Sequence, residues 1–234
     1  MADLRARFIK DERGFSLSEM IVTIVIMMFV LLALSGIFDM SLKVFSFGNN
    51  KVEAVESARV GMEKMEREIR QAYKYNSGSS QRHLFFNTAS PTTALTVPPT
   101  TRTDLTFGNN LGTPDTADEA ITCGSPCEYI TYKLTDDTSN TACTATPPCS
   151  LRRVNTSNSG DWGQPVVENV AINDPTDGTA NDGLTFTLLK SNGGAPANEG
   201  EVGIVLIKMN VRVNQGIGHA GTQTLTTVVD LRNR

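Results

Sequence analysis

Glu19 stands four residues after Phe15 and directly ahead of Met20–Phe38, a run of 19 residues without a charged side chain. An acid at the edge of so apolar a segment has one evident chemical use, pairing with a cation brought to it. A charge at the centre of a membrane helix costs about 2.5–3.5 kcal/mol on insertion scales, so such groups tend to be paired and functional. The bland alternative is an acid that snorkels to the headgroups from near the helix end. Four cysteines, Cys123, Cys127, Cys143 and Cys149, form the second group with chemical means. They suit two disulfides in an exported domain or a four-thiolate zinc site in a cytosolic one. The third group is Asp174, Asp177, Asn181 and Asp182, an oxygen-rich run of the kind that holds calcium. It lacks the EF-hand spacing and its terminal Glu, which favours a solvated turn.

The remaining candidates are weaker. "GIGHAG", Gly216 to Gly221, fits the dinucleotide pattern G-x-G-x-x-G. That site needs a helix next, and Thr222–Leu231 reads as a strand, so a hairpin loop is expected. His83 and His219 are the only histidines. Neither stands near a Ser or Cys nucleophile motif, and both are expected to be solvated loop residues. No catalytic group is assigned, and the chain is expected not to be an enzyme. The net charge of −4 supplies no basic field, which gives direct nucleic-acid binding no support.

The elements that must position these groups follow from the pattern. Residues 20–38 are long enough to cross a hydrocarbon core of about 30 Å as a helix. Arg5, Arg7, Lys10 and Arg13 precede them, and Asp39 follows. The basic flank stays cytoplasmic, so the C-terminal part is expected outside the cytoplasm, and there the cysteines read as disulfides. A secretory signal would need a small-residue cleavage site after the run, and "SGIFDMS" (35–41) is a poor one. Four cysteines allow three connectivities. Local pairs are the simplest, and the nested set Cys123–Cys149 with Cys127–Cys143 is the alternative.

Beyond the apolar run, Val55, Ala58, Met62, Met65, Ile69 and Ala72 recur three and four apart, one stripe of an amphipathic helix. Glu63 with Arg67 and Glu66 with Arg70 offer i,i+4 pairs on its other faces. No proline interrupts residues 15–75, and "NSGSS" (76–80) marks a stop. Gly36 and "FGNN" (47–50) are weak points for bending or local melting. A stripe this short falls below coiled-coil length and is expected to pack on the chain's own sheet. After residue 80 the strongest strands are 128–134, 166–172, 184–189, 202–213 and 224–231. In 202–213, Val205, Ile207, Met209, Val211 and Val213 share one face, as a half-buried antiparallel sheet requires. The expected fold is therefore α+β, a long N-terminal helix packed on an antiparallel β-sheet domain.

"RGFSLSEM" resembles the processing site of type IV prepilins: a short basic leader, Gly14, then Phe15, then an acid at the fifth mature position. The resemblance implies that a prepilin peptidase cuts between Gly14 and Phe15 and methylates the new amine of Phe15. It also implies that Glu19 sets subunit registration by meeting a neighbour's amine. "SARVGMEKMEREIRQA" (57–72) and "TTVVDLRN" (226–233) resemble the W-type minor pilins and J-type pseudopilins of that family. Gly36 departs from it, because major pilins often carry proline there.

The layout so implied is pilin-like: a leader over 1–14, a transmembrane and filament-core helix over 15–38, an amphipathic helix over 39–75 and an extracytoplasmic β-rich domain over 76–234. The function implied is that of a minor pilin or pseudopilin. Such a subunit waits in the cytoplasmic (inner) membrane as a single-pass protein and then enters a type IV pilus or a type II secretion pseudopilus. Its partners would be the prepilin peptidase, other pilins or pseudopilins, the membrane and the inner-membrane assembly platform. No cofactor is expected beyond the calcium candidate. The alternative from another class is a membrane-anchored extracytoplasmic enzyme or ligand-binding domain.

Overall fold

The computed structural model describes residues 14–76, 82–109, 129–136, 143, 149–155, 163–171, 183–214 and 220–231. The calcium candidates Asp174, Asp177, Asn181 and Asp182, the cysteines Cys123 and Cys127, and His219 lie outside the described residues. The chain divides into two units, Met1–Gly48 and Asn49–Arg234.

One helix, α1 (Leu17–Arg70, 54 residues), supplies the described helical part of the first unit and the first element of the second. The backbone stays helical through Gly36 and through Phe47–Asn50, where bending or melting is expected from the sequence. Each glycine costs only about 1 kcal/mol relative to alanine, and the long flanking turns absorb it.

In the second unit α1 turns the predicted stripe inward. Ala58, Met62, Met65 and Ile69 are buried with Ala72 just beyond the helix, and Val55 is half-buried. The five buried residues share one apolar core with Phe107, Ile130, Leu151, Val167, Phe186 and Ile207 of the sheet. Burying each such Met or Ile contributes roughly 1.5–3 kcal/mol. Gly61 is buried on the same face because the sheet comes so close: a Cβ there would lie 2.2 Å from Val167 Cγ2. On the helix surface Glu66 pairs with Arg70 and accepts a bond from Thr227 Oγ1 at 3.2 Å. Glu63 and Arg67 form no such pair.

The helix ends at Arg70, short of the 75 its pattern allows. Gln71 N–H already bonds the carbonyls of both Arg67 and Glu68, and Ala72 N–H bonds that of Ile69, a tightened last turn. Tyr73 then leaves the helix because its N–H bonds the Gly108 carbonyl at 2.9 Å. Gly108 in turn has no side chain to keep the Tyr73 carbonyl away, since a Cβ would stand 2.3 Å from that oxygen. Pairing with the sheet overrides the helical period here.

Twelve strands follow among the described residues: β1 (Tyr75–Asn76), β2 (Arg82–His83), β3 (Phe85–Asn87), β4 (Ser90–Ala94), β5 (Thr101–Arg102), β6 (Leu105–Gly108), β7 (Tyr129–Asp136), β8 (Cys149–Val154), β9 (Gln164–Val170), β10 (Leu184–Leu189), β11 (Ile204–Asn214) and β12 (Ala220–Asp230). β1 and β2 form a small ribbon. The others make one sheet in the order β4-β3-β6-β7-β8-β9-β11-β10-β5, with β12 on the far edge of β11, and every pairing is antiparallel. On β11, Val205, Ile207, Met209, Val211 and Val213 are all buried, as the alternation requires. Asn210, on the other face, is buried too and accepts a bond from Thr224 Oγ1 at 2.7 Å.

Cys143 is disulfide-bonded to Cys149, with Cα atoms 6.0 Å apart. This local pair closes the β7–β8 hairpin, since Cys149 opposes Asp136 and Cys143 N–H bonds the Leu134 carbonyl at 3.4 Å. Loop-closure entropy for so short a loop is worth about 2 kcal/mol. Thiol labelling of the denatured, unreduced chain should find neither residue reactive, and Cys143→Ser with Cys149→Ser should lower unfolding stability by about that amount. Labelling at both positions would contradict the pairing.

Glu199 is the other fixing point of the sheet. It is a buried acid on a single turn of 3₁₀ helix (Glu199–Glu201). Its Oε1 accepts the N–H groups of Leu84 at 2.7 Å and Phe85 at 3.0 Å, and its Oε2 lies 3.1 Å from His83 Nδ1. His83 is thus not the solvated loop histidine expected from the sequence, but a mostly buried partner of a carboxylate. Glu199→Ala should cost about 3 kcal/mol, because two buried N–H groups lose their acceptor at roughly 1–3 kcal/mol each. Glu199→Gln should cost less, since the amide oxygen still accepts. Thermal unfolding of the detergent-solubilised chain checks the order.

Candidate functional site

The start of α1 is built by its own sequence. Ser16 precedes the first helical residue, and its Oγ accepts the Glu19 N–H at 3.2 Å. The Glu19 carboxylate reaches back, and its Oε2 accepts the Ser16 N–H at 2.9 Å. This reciprocal pair is a capping box, which satisfies two backbone donors that a helix start leaves open. Ser18 Oγ lies 2.9 Å from Ser16 Oγ and joins the cluster. The spacing Ser16-x-x-Glu19 carries this signal in the sequence, and it gives Glu19 a partner inside its own chain besides the cation anticipated for it.

The helix that follows is apolar on every side. From Met20 to Phe38 each residue is exposed within this unit, with Phe29 at 69% and Leu32 at 65%. A soluble helix would put one face into a core, whereas an all-round apolar helix suits an apolar surround. Its length and composition suffice to cross a membrane. The two hydroxyls within it are satisfied locally: Thr23 Oγ1 donates to the Met20 carbonyl at 2.9 Å, and Ser35 Oγ to the Leu32 carbonyl at 2.8 Å. No polar side chain between Met20 and Phe38 is left without a bond, which is what a hydrocarbon environment demands.

Gly14 and Phe15 lie just ahead of the helix, outside its hydrogen-bond ladder. Phe15 is 77% exposed. A Cβ built at Gly14 would meet no atom within 4 Å, so neither packing nor backbone geometry calls for glycine there. Gly14, Phe15 and Glu19 thus fall on one short exposed stretch, the first two ahead of the helix and Glu19 in its first turn.

The remaining polar clusters explain themselves by packing. Glu68, on the sheet-facing side of α1, accepts the Tyr132 hydroxyl at 2.7 Å and Arg153 Nε at 3.0 and 2.9 Å. Burial first, and then the Glu68 carboxylate, push the Tyr132 hydroxyl above the usual tyrosine range, so it stays a donor. This network joins helix to sheet. Lys190 Nζ and the Ala197 N–H both bond Glu201 Oε2, which holds the loop before β11. Gly221 lies within strand β12, and β11 and β12 pair from Ile204↔Asp230 to Asn214↔Ala220. The "GIGHAG" stretch therefore leads into a strand, and the helix needed to hold a pyrophosphate does not follow it.

No curated protein and no solved structure gives a match to this chain. One family model does: residues 9–35 match the prokaryotic N-terminal methylation motif, a segment that contains Gly14, Phe15, Ser16, Glu19 and most of the apolar helix.

Proposed function

We propose that this chain is a minor pilin or pseudopilin, a structural subunit drawn from the cytoplasmic membrane into a type IV pilus or a type II secretion pseudopilus. The observation that carries the reading is the position of the methylation motif. It brackets Gly14-Phe15 and Glu19 and runs on into a helix apolar on all sides. Residues 1–14 are the leader, a prepilin peptidase cuts after Gly14, and the amine of Phe15 becomes methylated. Residues 15–38 hold the subunit in the membrane and later lie in the filament core, with 39–75 continuing the helix. Residues 76–234 lie outside the cytoplasm, the side on which a disulfide such as Cys143–Cys149 persists. The exposed, unconstrained Gly14 supports this assignment, because a glycine that the fold does not need is explained by the demands of a partner enzyme. Calcium held by Asp174, Asp177, Asn181 and Asp182 is a secondary proposal, resting on the composition of that run alone.

The work of such a subunit is assembly, through other pilins or pseudopilins and the inner-membrane assembly platform. Expression beside an assembly system with and without its prepilin peptidase tests this. The chain should reach the sheared-filament fraction only when the peptidase is present. Equal recovery in that fraction without the peptidase would contradict the reading.

A further inference from the structure

We propose that β12 is a docking edge, whose outer side takes an extended segment of a different subunit as a further strand of the sheet. The inference rests on the reading of the chain as a filament subunit. The Asn210 N–H bonds the Gly183 carbonyl at 2.8 Å, and the Asn210 carbonyl accepts the Ala171 N–H at 2.8 Å. The even-numbered residues of β11 therefore turn their backbone groups toward β9 and β10, and the odd-numbered ones toward β12. With Met209 opposite Leu225, the odd-numbered residues of β12 face β11 in return. The N–H and C=O groups of Thr222, Thr224, Thr226 and Val228 then point out of the edge. The Thr222 carbonyl takes Gln223 Nε2 at 3.1 Å, while the outward groups of Thr224, Thr226 and Val228 bond no described residue. All four side chains are exposed, Val228 at 54%. Backbone donors and acceptors repeating every ~7 Å match another extended chain, the chemistry of strand addition.

Sheets usually blunt such an edge with a short strand, a charge, a proline or a bulge. Two other edges of this sheet carry such guards. β4 has Pro91 and a register shift against β3, and β5 is two residues long and includes Arg102. β12 has eleven residues, no proline, a single charge at its end in Asp230, and an unbroken register with β11. A second copy is a poor occupant. Paired antiparallel through β12, it would be related by a two-fold axis normal to the sheet, which reverses the part of α1 that packs there. The two chains would then leave the sheet toward their membrane segments in opposite directions. A strand from a different subunit meets no such conflict.

Residue-resolved hydrogen exchange, comparing the full chain extracted in detergent with the full chain in sheared filaments, tests this. The amides of Thr224, Thr226 and Val228 should exchange freely in the first and be protected in the second. Those of Gln223, Leu225 and Thr227, which face β11, should be protected in both. Thr226→Pro removes an outward N–H without breaking a bond to β11, a place where an edge strand tolerates proline. It should lower the filament-to-membrane ratio about tenfold, through one lost hydrogen bond and a stranded acceptor on the partner. Thr226→Val keeps the N–H and should match the wild type. The exchange comparison needs no variant and decides even where Thr226→Pro fails to fold. Free exchange of the three amides in filaments, or a folded Thr226→Pro chain recovered as well as the wild type, overturns the docking edge and leaves the chain a filament subunit. Absence of the wild-type chain from filaments in the presence of the peptidase overturns the underlying reading instead. Protection that arises in the extracted chain alone and grows with its concentration would make the occupant a second copy, and overturns the assignment to a different subunit.

Discussion

Replacing Glu19 with alanine should remove the chain from filaments while leaving it in the membrane. Insertion should survive, because deleting a charge makes the segment more apolar. Cleavage should survive as well, because Gly14 and Phe15 are untouched. What would be lost on the proposed function is the partner for a neighbour's amine in an apolar filament core, and breaking one side of a buried pair costs about 3–5 kcal/mol. That corresponds to a fall of roughly a hundredfold or more in incorporation. Glu19→Gln should be milder, since its amide oxygen accepts a hydrogen bond and glutamine also closes a capping box. The ratio of each variant in sheared filaments to that in membranes decides. Equal recovery of wild type and Glu19→Ala would return Glu19 to the role of a snorkelling acid that caps its own helix.

Glu68→Ala should destabilise the second unit more than any surface change, by about 3–5 kcal/mol. The side chains of Glu68 and Arg153 are only 15% and 22% exposed, so the alanine would leave a guanidinium largely out of water without its counter-charge. It would also orphan the Tyr132 hydroxyl, which has no exposed surface to compensate. Replacing both Glu68 and Arg153 by methionine should recover much of the loss, because an apolar pair of similar volume leaves no buried charge. Urea unfolding of the detergent-solubilised chain measures this. A loss below about 1 kcal/mol for Glu68→Ala would show that the network is screened by water as a surface pair is.

The same network shows why parts of the fold escape a reading of the sequence. β8 is "CSLRRV", and two consecutive arginines contradict a strand in a buried sheet. Arg153 is admitted to the core-facing side because Glu68, 85 residues earlier, neutralises it. Glu199 is hidden for the same reason: its backbone partners, Leu84 and Phe85, lie 115 and 114 residues away. Strands β1 to β6 are two to five residues long, too short to display a period of two, and β4 contains Pro91. By contrast, β7 and β9 to β12 are six to eleven residues long, and β10 to β12 show the alternation that one buried face imposes; the sequence places all five with their ends shifted by only a few residues. The helix stripe from Ala58 to Ala72 was readable because packing on the sheet enforces the helical period, but its end was not. Tyr73 is pulled out by Gly108, a contact made across the fold. In the candidate site, Gly14, Phe15 and Glu19 stand out as a local motif, and Ser16 is equally local. Its capping role needs no tertiary contact at all.

The mass of the mature chain tests the central claim most directly. Intact-mass measurement of the protein extracted from membranes of a cell with a prepilin peptidase should give a chain that begins at Phe15 and carries one added methyl group. A chain that begins at Met1, or one cut beyond Ser35 so that the apolar helix is lost, would contradict the account.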